Sequence, residues 1–225
     1  EIEKTPEKAT PTDDIYEVLN TLLKHPSCFE ICIISGRKSS DLETWFGHMP
    51  IHLVSEHGFF IKRIGKEWDE YEKHIALDWL KTFKSVIEDF CISTPGSRLE
   101  EKRSSLVWHY RACDPDFGMF KAEQLFSELH AMATNFPVNI HKGQKKTVEV
   151  SSQEINKGLA MMDLISKKEP DMIMCCGDDF TDESMFELNL KQSYPVKIGL
   201  GNTSAPYRLD SPNQLRQLLL KMASI

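Results

Sequence analysis

Short apolar runs that alternate with helix-like segments restrict the fold of this chain more than any other feature. Four runs are largely apolar, at 28–35, 51–55, 169–176 and 194–201, and the first and third predict buried strands. Between and around them, apolar residues recur every three or four positions, which is the period of a helix. Strands that alternate with helices form a mostly parallel sheet covered on both faces, so the sequence predicts a Rossmann-like α/β core.

Helices are predicted around these runs. The first begins near Ile15, and later ones cover 155–167, 182–190 and 211–223. Ser40 and Glu43 have the spacing of a capping box and predict the start of a helix after the first apolar run.

The middle of the chain has a different pattern. A long amphipathic helix is predicted at 74–92 and another at 116–136. Residues 100–111 alternate like one half-exposed strand, and 136–150 resemble two short strands around a glycine turn. This mixture has antiparallel character, so we predict an inserted α+β domain over 73–152, with the core formed by 1–72 and 153–225.

Composition excludes some classes of protein. The 225 residues carry a formal net charge of −7, which argues against a nucleic-acid partner because such partners require a basic face. No apolar run approaches the ~18 residues of a membrane span, so no membrane contact is expected. Six cysteines occur without a CxxC pair. They favour reduced core thiols and a cytoplasmic location.

Polar side chains follow the apolar runs where a parallel sheet binds its ligands, at the carboxyl ends of the strands. Ser35, Gly36 and Arg37 follow the first run, and there a hydroxyl and backbone N–H groups can hold a phosphate oxygen. Lys157 opens a predicted helix, where its charge could neutralise a transferring phosphoryl group.

The stretch CGDDFTDESMF follows the third run and is strongly acidic. Asp178, Asp179 and Asp182 offer hard oxygen ligands of the kind that Mg²⁺ prefers. Simpler explanations exist for each feature. Ser35 could be a helix cap, Lys157 a solvated lysine, and the acidic stretch a capped helix whose N-terminal dipole favours carboxylates.

The order of these motifs resembles a known superfamily. Ser-Gly-Arg at 35–37, Lys-Gly at 157–158 and GDDFTDE at 177–183 resemble the second, third and fourth motifs of the haloacid-dehalogenase-like phosphatases, whose capped members carry an insert between the second and third. A closer resemblance is to the trehalose-6-phosphate phosphatase family. It extends in order over nearly the whole chain through ISGR, SEHGFF, EEKRSSLVWHYR, KKTVEV, INKG, GDDFTDE and SAPYRLDSP.

The resemblance implies an enzyme that hydrolyses trehalose 6-phosphate to trehalose and phosphate with Mg²⁺, through an aspartyl phosphate. Asp178 would ligate Mg²⁺, and Asp182 would order the metal's shell or Lys157. Ser35 would hydrogen-bond the phosphate, and Lys157 would bridge the nucleophile and a phosphoryl oxygen.

One motif of the family is missing from the sequence. The nucleophile and the general acid and base belong to an Asp-x-Asp motif, and EIEKTPEKATP resembles the segment directly downstream of that motif in family members. We therefore expect the motif a few positions upstream of Glu1. The competing explanation is a protein that lacks it and is not catalytic.

The insert would recognise the sugar. Charged side chains that match the family's sugar-contacting positions are Glu100, Lys102, Arg111, Lys145 and Glu149. In one unbroken strand Lys102 and Arg111 would face opposite sides, so a bend near 104–105 is required if both touch one ligand. In SEHGFF, His57 with Gly58 either contacts the substrate or makes a structural hydrogen bond, and Trp108 and Tyr110 are predicted core residues of the insert.

Alternative functions remain open. A regulatory subunit of a trehalose synthesis complex could keep the fold and bind the sugar phosphate without hydrolysing it. A phosphatase of another sugar phosphate, such as sucrose phosphate, is a third possibility. The expected partners are trehalose 6-phosphate and a trehalose-6-phosphate synthase domain or subunit.

Overall fold

The computed structural model describes residues 10–70, 77–143, 146–166 and 168–224. The chain divides into two compact units. One consists of Glu1–Tyr71 with Asn156–Ile225, and the other of Glu72–Ile155. We refer to them as the core unit and the cap unit. None of the described helices is long and apolar enough to cross a bilayer.

The first half of the core unit forms a four-stranded sheet with two helices. Its elements are α1 (Asp13–Leu22), β1 (Cys32–Ile34), α2 (Ser39–Phe46), β2 (His52–Ser55), β3 (Phe60–Lys62) and β4 (Trp68–Glu70). The strand order is β1-β2-β3-β4, in which β1 and β2 are parallel and the later pairs antiparallel. Helix α2 packs its apolar side on this sheet through Leu42 and Phe46, which are buried with Leu53.

The predicted capping box of α2 is wrong. The helix begins after Lys38, and no side chain caps it. Glu43 instead accepts hydrogen bonds from the Lys62 ammonium, at 2.7 Å, and from the Trp68 indole, at 2.8 Å. The carboxylate therefore joins the helix to the neighbouring strands rather than to its own first turn.

The cap unit is one sheet packed against two helices. Its elements are α3 (Trp79–Ser93), β5 (Arg98–Glu101), β6 (Ser105–His109), α4 (Pro115–Ala133), β7 (Val138–Gly143) and β8 (Thr147–Ser152). The sheet is antiparallel with the order β5-β6-β8-β7. Its apolar face packs on both helices, and Trp108, Phe83 and Leu125 are fully buried there. The predicted core role of Trp108 is confirmed, and Tyr110 packs against the same cluster.

Residues 100–111, predicted as one strand, form a hairpin. The chain turns at 102–104, where the Lys102 N–H donates to the Ser105 carbonyl at 2.9 Å. The required bend thus exists, as a complete reversal rather than a bulge. Period-2 alternation continues across such a short turn, so the pattern could not separate β5 from β6.

The second half of the core unit forms a three-stranded parallel sheet. Its elements are α5 (Lys157–Ile165), β9 (Ile173–Gly177), α6 (Glu183–Phe186), β10 (Ser193–Ile198), β11 (Tyr207–Leu209) and α7 (Pro212–Met222), in the strand order β11-β10-β9. Ser211 caps α7 by accepting from the Gln214 N–H. The helix predicted over 182–190 is shorter, because α6 ends at Phe186.

The two strands that precede the predicted phosphate and metal residues are only partly buried. Cys32 in β1 is exposed, and of the five residues of β9 Cys175 alone is buried. Both strands were predicted to be buried. Within the described residues β1 pairs only with β2 and β9 only with β10, so each has one edge without a strand neighbour.

Candidate active site

The Ser35–Arg37 loop leaves the carboxyl end of β1 and is hydrogen-bonded to the turn after β2. The His57 N–H donates to the Ser35 carbonyl at 3.0 Å, and the Glu56 N–H donates to the Arg37 carbonyl at 2.9 Å. The Ser35 hydroxyl accepts from the Arg37 N–H at 3.1 Å, so it shapes its own loop. Ser35 is therefore not the cap of α2, which begins after Lys38.

The turn after β2 has a left-handed backbone at three successive residues. The φ angles are 47° at Glu56, 61° at His57 and 122° at Gly58. This turn places the His57 ring against Gly36, where an added Cβ would lie 2.3 Å from His57 Nε2. Strain of this kind persists only where the surroundings hold it, and it occurs most often at functional sites.

At Gly58, the turn after β2 packs closely against the start of α5. A Cβ at Gly58 would lie 2.8 Å from the Asn156 carbonyl oxygen, so only glycine allows this approach. Asn156 caps α5 by accepting from the Leu159 N–H at 2.8 Å. The next residue is Lys157, so its position follows from this contact.

Lys157 and Asp182 form a buried ion pair. The distance from Lys157 Nζ to Asp182 Oδ1 is 2.7 Å, and both residues are under a tenth exposed. The other carboxylate oxygen of Asp182 accepts from the Asp179 N–H at 2.8 Å. A solvated lysine is therefore the wrong description of Lys157. Gly177 is required beside the pair, since a Cβ there would lie 2.1 Å from Asp182 Cγ.

The acids after β9 have different surroundings. Asp179 caps the short 3-10 turn at 180–182 by accepting from the Phe180 N–H at 2.7 Å, and it forms a capping box with Asp182. Asp178 is exposed at the end of the strand. Asp178 is thus exposed to solvent, and the capping box of this stretch is formed by the other two aspartates.

The carboxylate oxygens that follow β9 fit a Mg²⁺ site in part. Magnesium is commonly held by one or two carboxylates, with waters and substrate phosphate completing the octahedron. Asp178 offers such a carboxylate. Within the ranges that the structure describes, no group of three or more His, Cys, Asp or Glu side chains could hold a metal ion. The described residues therefore supply only part of a metal shell.

Two charged residues here were missed by the sequence analysis. Lys197 of β10 is 4% exposed and donates from Nζ to the Asp178 carbonyl oxygen at 3.0 Å. Glu183 lies 3.7 Å from the same ammonium. Burial would raise the pKa of Glu183, but hydrogen bonds from Ser204 and Thr203 and the charge of Lys197 hold it below its ordinary value. A lysine inside the apolar run YPVKIGLG was the available signal.

The Arg37 side chain lies along α2. Its guanidinium is 3.7 Å from the Asp41 carboxylate and lies over the Trp45 ring, and its phosphate-binding role stays a prediction. All six cysteines are free, but Cys28 and Cys32 are exposed rather than part of the core.

The cap sheet has one polar face that carries two of the predicted sugar contacts. Strand pairing puts Glu100, Val107, Glu149 and His141 in one row across β5, β6, β8 and β7, and paired residues share a face. His109 lies on this face too, and its Nε2 is 2.8 Å from a Glu100 carboxylate oxygen. This face lies opposite the side that carries Trp108 and packs on the helices.

The other predicted sugar contacts lie at the ends of the strands. Lys102 lies in the β5–β6 turn, and Arg111 follows β6. Lys145 lies outside the described residues. The structure thus brings Glu100 and Glu149 together, and the sugar-binding roles of all five residues stay predictions.

Comparison with known proteins defines the fold class and the family of this chain. The C-terminal domain of trehalose-6-phosphate phosphatase from C. albicans matches this chain with a TM-score of 0.90 and 32% identity, over 100% of this chain and 88% of that chain. The chain has the fold of the haloacid-dehalogenase-like phosphatases, as predicted. A family model described as trehalose-phosphatase matches residues 1–213. The chain belongs to the trehalose-phosphatase family, which confirms the predicted family.

Relatives with related names are much longer than this chain. Alpha,alpha-trehalose-phosphate synthase [UDP-forming] B of Dictyostelium discoideum is 40% identical over 186 residues, which are 82% of this chain and 23% of that protein. The bifunctional trehalose-6-phosphate synthase/phosphatase of Thermoproteus tenax is 36% identical over 214 residues, or 95% of this chain and 29% of that protein. The chain spans about a quarter of the length of these curated relatives.

Proposed function

We propose that the protein is a Mg²⁺-dependent phosphatase that hydrolyses trehalose 6-phosphate to trehalose and phosphate. The observation that carries this proposal is the buried pair of Lys157 and Asp182, which lies in the same core unit as the Ser35 loop and Asp178. Removing two charges from water is costly, so a gain in stability does not by itself explain a buried ion pair. A site that must neutralise a phosphoryl group does require a held cation.

The loop and the lysine have separate tasks in this proposal. The Ser35 oxygen accepts from the Arg37 N–H, so its own hydrogen can be donated to a phosphate oxygen. Lys157 contributes its charge, and Asp182 keeps the ammonium in place, so little reorganisation is needed when charge develops on the phosphoryl oxygens. Catalysis of this kind depends on positioning and charge neutralisation rather than on proton transfer by these residues.

Asp178 is the proposed metal ligand. When bound, Mg²⁺ would neutralise phosphate oxygens and orient the phosphoryl group. Within the described residues no group of three or more His, Cys, Asp or Glu side chains could hold the ion, so waters and substrate phosphate would complete the shell.

The covalent step follows the family resemblance. An aspartate of the Asp-x-Asp motif, which we propose to lie upstream of Glu1, attacks phosphorus while the bond between phosphorus and the sugar O6 breaks. The second aspartate of the motif gives the leaving oxygen its proton. That second aspartate, now ionised, takes a proton from the water that attacks the phosphorus of the aspartyl phosphate, and this step releases inorganic phosphate and regenerates the nucleophilic carboxylate.

The cap unit is proposed to bind the sugar through its polar sheet face. Glu100 and Glu149 can accept hydrogen bonds from hydroxyl groups, and a rigid sheet holds both acceptors on one face. The T. tenax relative is named as bifunctional, which supports a synthase domain as partner in a longer polypeptide. The cytoplasmic location stays a prediction.

The test uses the full-length polypeptide with trehalose 6-phosphate, sucrose 6-phosphate and Mg²⁺, and measures released phosphate. We expect release from trehalose 6-phosphate, and a loss of about 10²-fold or more in kcat for Asp178→Asn, because contacts to a metal or a developing charge contribute several kcal/mol. Binding of trehalose 6-phosphate without release would favour the regulatory alternative. Faster release from sucrose 6-phosphate would show that the substrate assignment is wrong.

A further inference from the structure

Lys197 is a buried cation to which the proposed function assigns no role. It lies in β10 directly opposite Gly177, the last residue of β9, and is 4% exposed. A buried ammonium is destabilising unless its hydrogens are bonded and its charge is compensated. Its contacts therefore show what this cation holds in place.

The ammonium joins the acidic stretch to α6. Lys197 Nζ donates to the backbone carbonyl of Asp178 at 3.0 Å and lies 3.7 Å from Glu183 Oε1. Within the described residues, the Asp178 carboxylate makes no hydrogen bond of its own. The location of this carboxylate is therefore set by its backbone, and Lys197 is the side chain that fixes that backbone.

Glu183 is itself held from the opposite side. Its Oε2 accepts from the Ser204 N–H at 2.8 Å, the Ser204 hydroxyl at 2.7 Å and the Thr203 hydroxyl at 3.1 Å. Arg208 donates to the carbonyls of Gly199 and Gly201 in the same loop. The late motif SAPYRLDSP thus has a physical task, which is to fix the loop that orients Glu183.

We propose that Lys197 is a positioning residue for the metal site, which acts through the backbone of Asp178 and is itself aligned by Glu183 and the 203–204 loop. This inference rests on the proposed function, in which Asp178 ligates Mg²⁺. Outer contacts of this type orient a ligand before the metal arrives, and their loss commonly weakens metal affinity by about 10- to 100-fold.

The experiment measures Mg²⁺ binding to the metal-free, full-length protein by calorimetry, with Lys197→Met, Glu183→Gln and Asp178→Asn. Lys191→Met is the matched control, because Lys191 is an exposed lysine that lies just before β10, the strand that carries Lys197. We expect Lys197→Met to weaken Mg²⁺ binding by about 10- to 100-fold and Glu183→Gln by less, with Lys191→Met equal to wild type. In phosphate-release assays the Mg²⁺ concentration for half-maximal rate should rise by the same factor.

The outcomes separate the inference from the proposed function. If Asp178→Asn binds Mg²⁺ as tightly as wild type, the metal assignment is wrong. If Asp178→Asn loses binding while Lys197→Met and Glu183→Gln keep wild-type affinity, the positioning role alone is overturned. Should Lys197→Met fail to fold, Glu183→Gln decides, since it keeps the shape of the side chain, removes the charge beside Lys197 and turns one acceptor oxygen into a donor amide.

Discussion

Lys157 Nζ lies 2.7 Å from Asp182 Oδ1, and neither residue is more than 7% exposed. Removal of one partner leaves the other charge buried and unpaired, which typically destabilises a protein by about 3–5 kcal/mol. We expect Lys157→Met to lower the free energy of unfolding by about 3 kcal/mol and kcat by about 10²- to 10³-fold. Denaturant unfolding and phosphate release measure the two effects.

The double variant separates stability from catalysis. Lys157→Met combined with Asp182→Asn removes both charges, so most of the lost stability should return while kcat stays low. If activity returned together with stability, Lys157 would have a structural role only.

Gly58 gives a second prediction. Its φ of 122° and its approach to Asn156 both exclude a side chain. Gly65 has a φ of 70° with nothing within 4 Å of an added Cβ, so it is a matched control for backbone strain alone. We expect Gly65→Ala to cost about 1 kcal/mol of unfolding free energy. Gly58→Ala should cost about 1–3 kcal/mol more, because α5 must also move.

Activity distinguishes the two glycines further. Movement of α5 displaces Lys157, so Gly58→Ala should lower kcat, whereas Gly65→Ala should leave it unchanged. Equal kcat values in the two variants would mean that the contact with Asn156 does not position the lysine.

The structure differs from the sequence prediction most clearly in the limits of its strands. Ser35, Lys157 and Asp182 were chosen as candidate site residues from residue types and their order in the sequence, and their roles stay predictions. The limits of β1 and the hairpin at 102–104 could not be found this way. Apolar runs continue beyond the hydrogen-bonded part of a strand, and alternation continues across a tight turn.

Two further features depend on contacts that no sequence pattern contains. Lys197 is separated by 14 residues from Glu183 and by 19 from Asp178, so only pairing of β10 with β9 shows that they meet. The capping box predicted at Ser40 is the opposite case, since the local sequence pattern is present but the structure does not form the contact. Glu43 has its partners on β3 and β4, and these tertiary contacts replace the local one.

The polar face of the cap sheet gives a third prediction. Glu149→Gln and Glu100→Gln should raise KM for trehalose 6-phosphate with a smaller change in kcat. A hydrogen bond to a charged group contributes about 1.5–3 kcal/mol, which corresponds to roughly 10- to 100-fold in kcat/KM. Glu101→Gln is the matched control, because Glu101 lies on the opposite face and bonds to Lys84 at 2.7 Å. An equal rise in KM for Glu101→Gln would place the sugar elsewhere.

His52 predicts how stability depends on pH. The ring is buried, its Nδ1 accepts from the Ile64 N–H at 3.3 Å, and its Nε2 lies 2.6 Å from Glu30 Oε1. Burial lowers the pKa of His52 below its ordinary 6.5, although the Glu30 carboxylate opposes this effect. The folded ring therefore stays neutral at pH values where the unfolded chain has already bound a proton.

The sign of the pH effect follows from this difference in bound protons. Stability contributed by the neutral ring is fully present above the unfolded pKa of 6.5 and is lost as the pH falls below it, toward the lowered folded pKa. We expect the free energy of unfolding to decrease between pH 7.5 and about 5.5 in the wild type, and to decrease less in His52→Gln, which keeps a donor for Glu30 but cannot titrate. A slope for His52→Gln equal to that of wild type would show that His52 binds its proton equally well in the folded and unfolded chains.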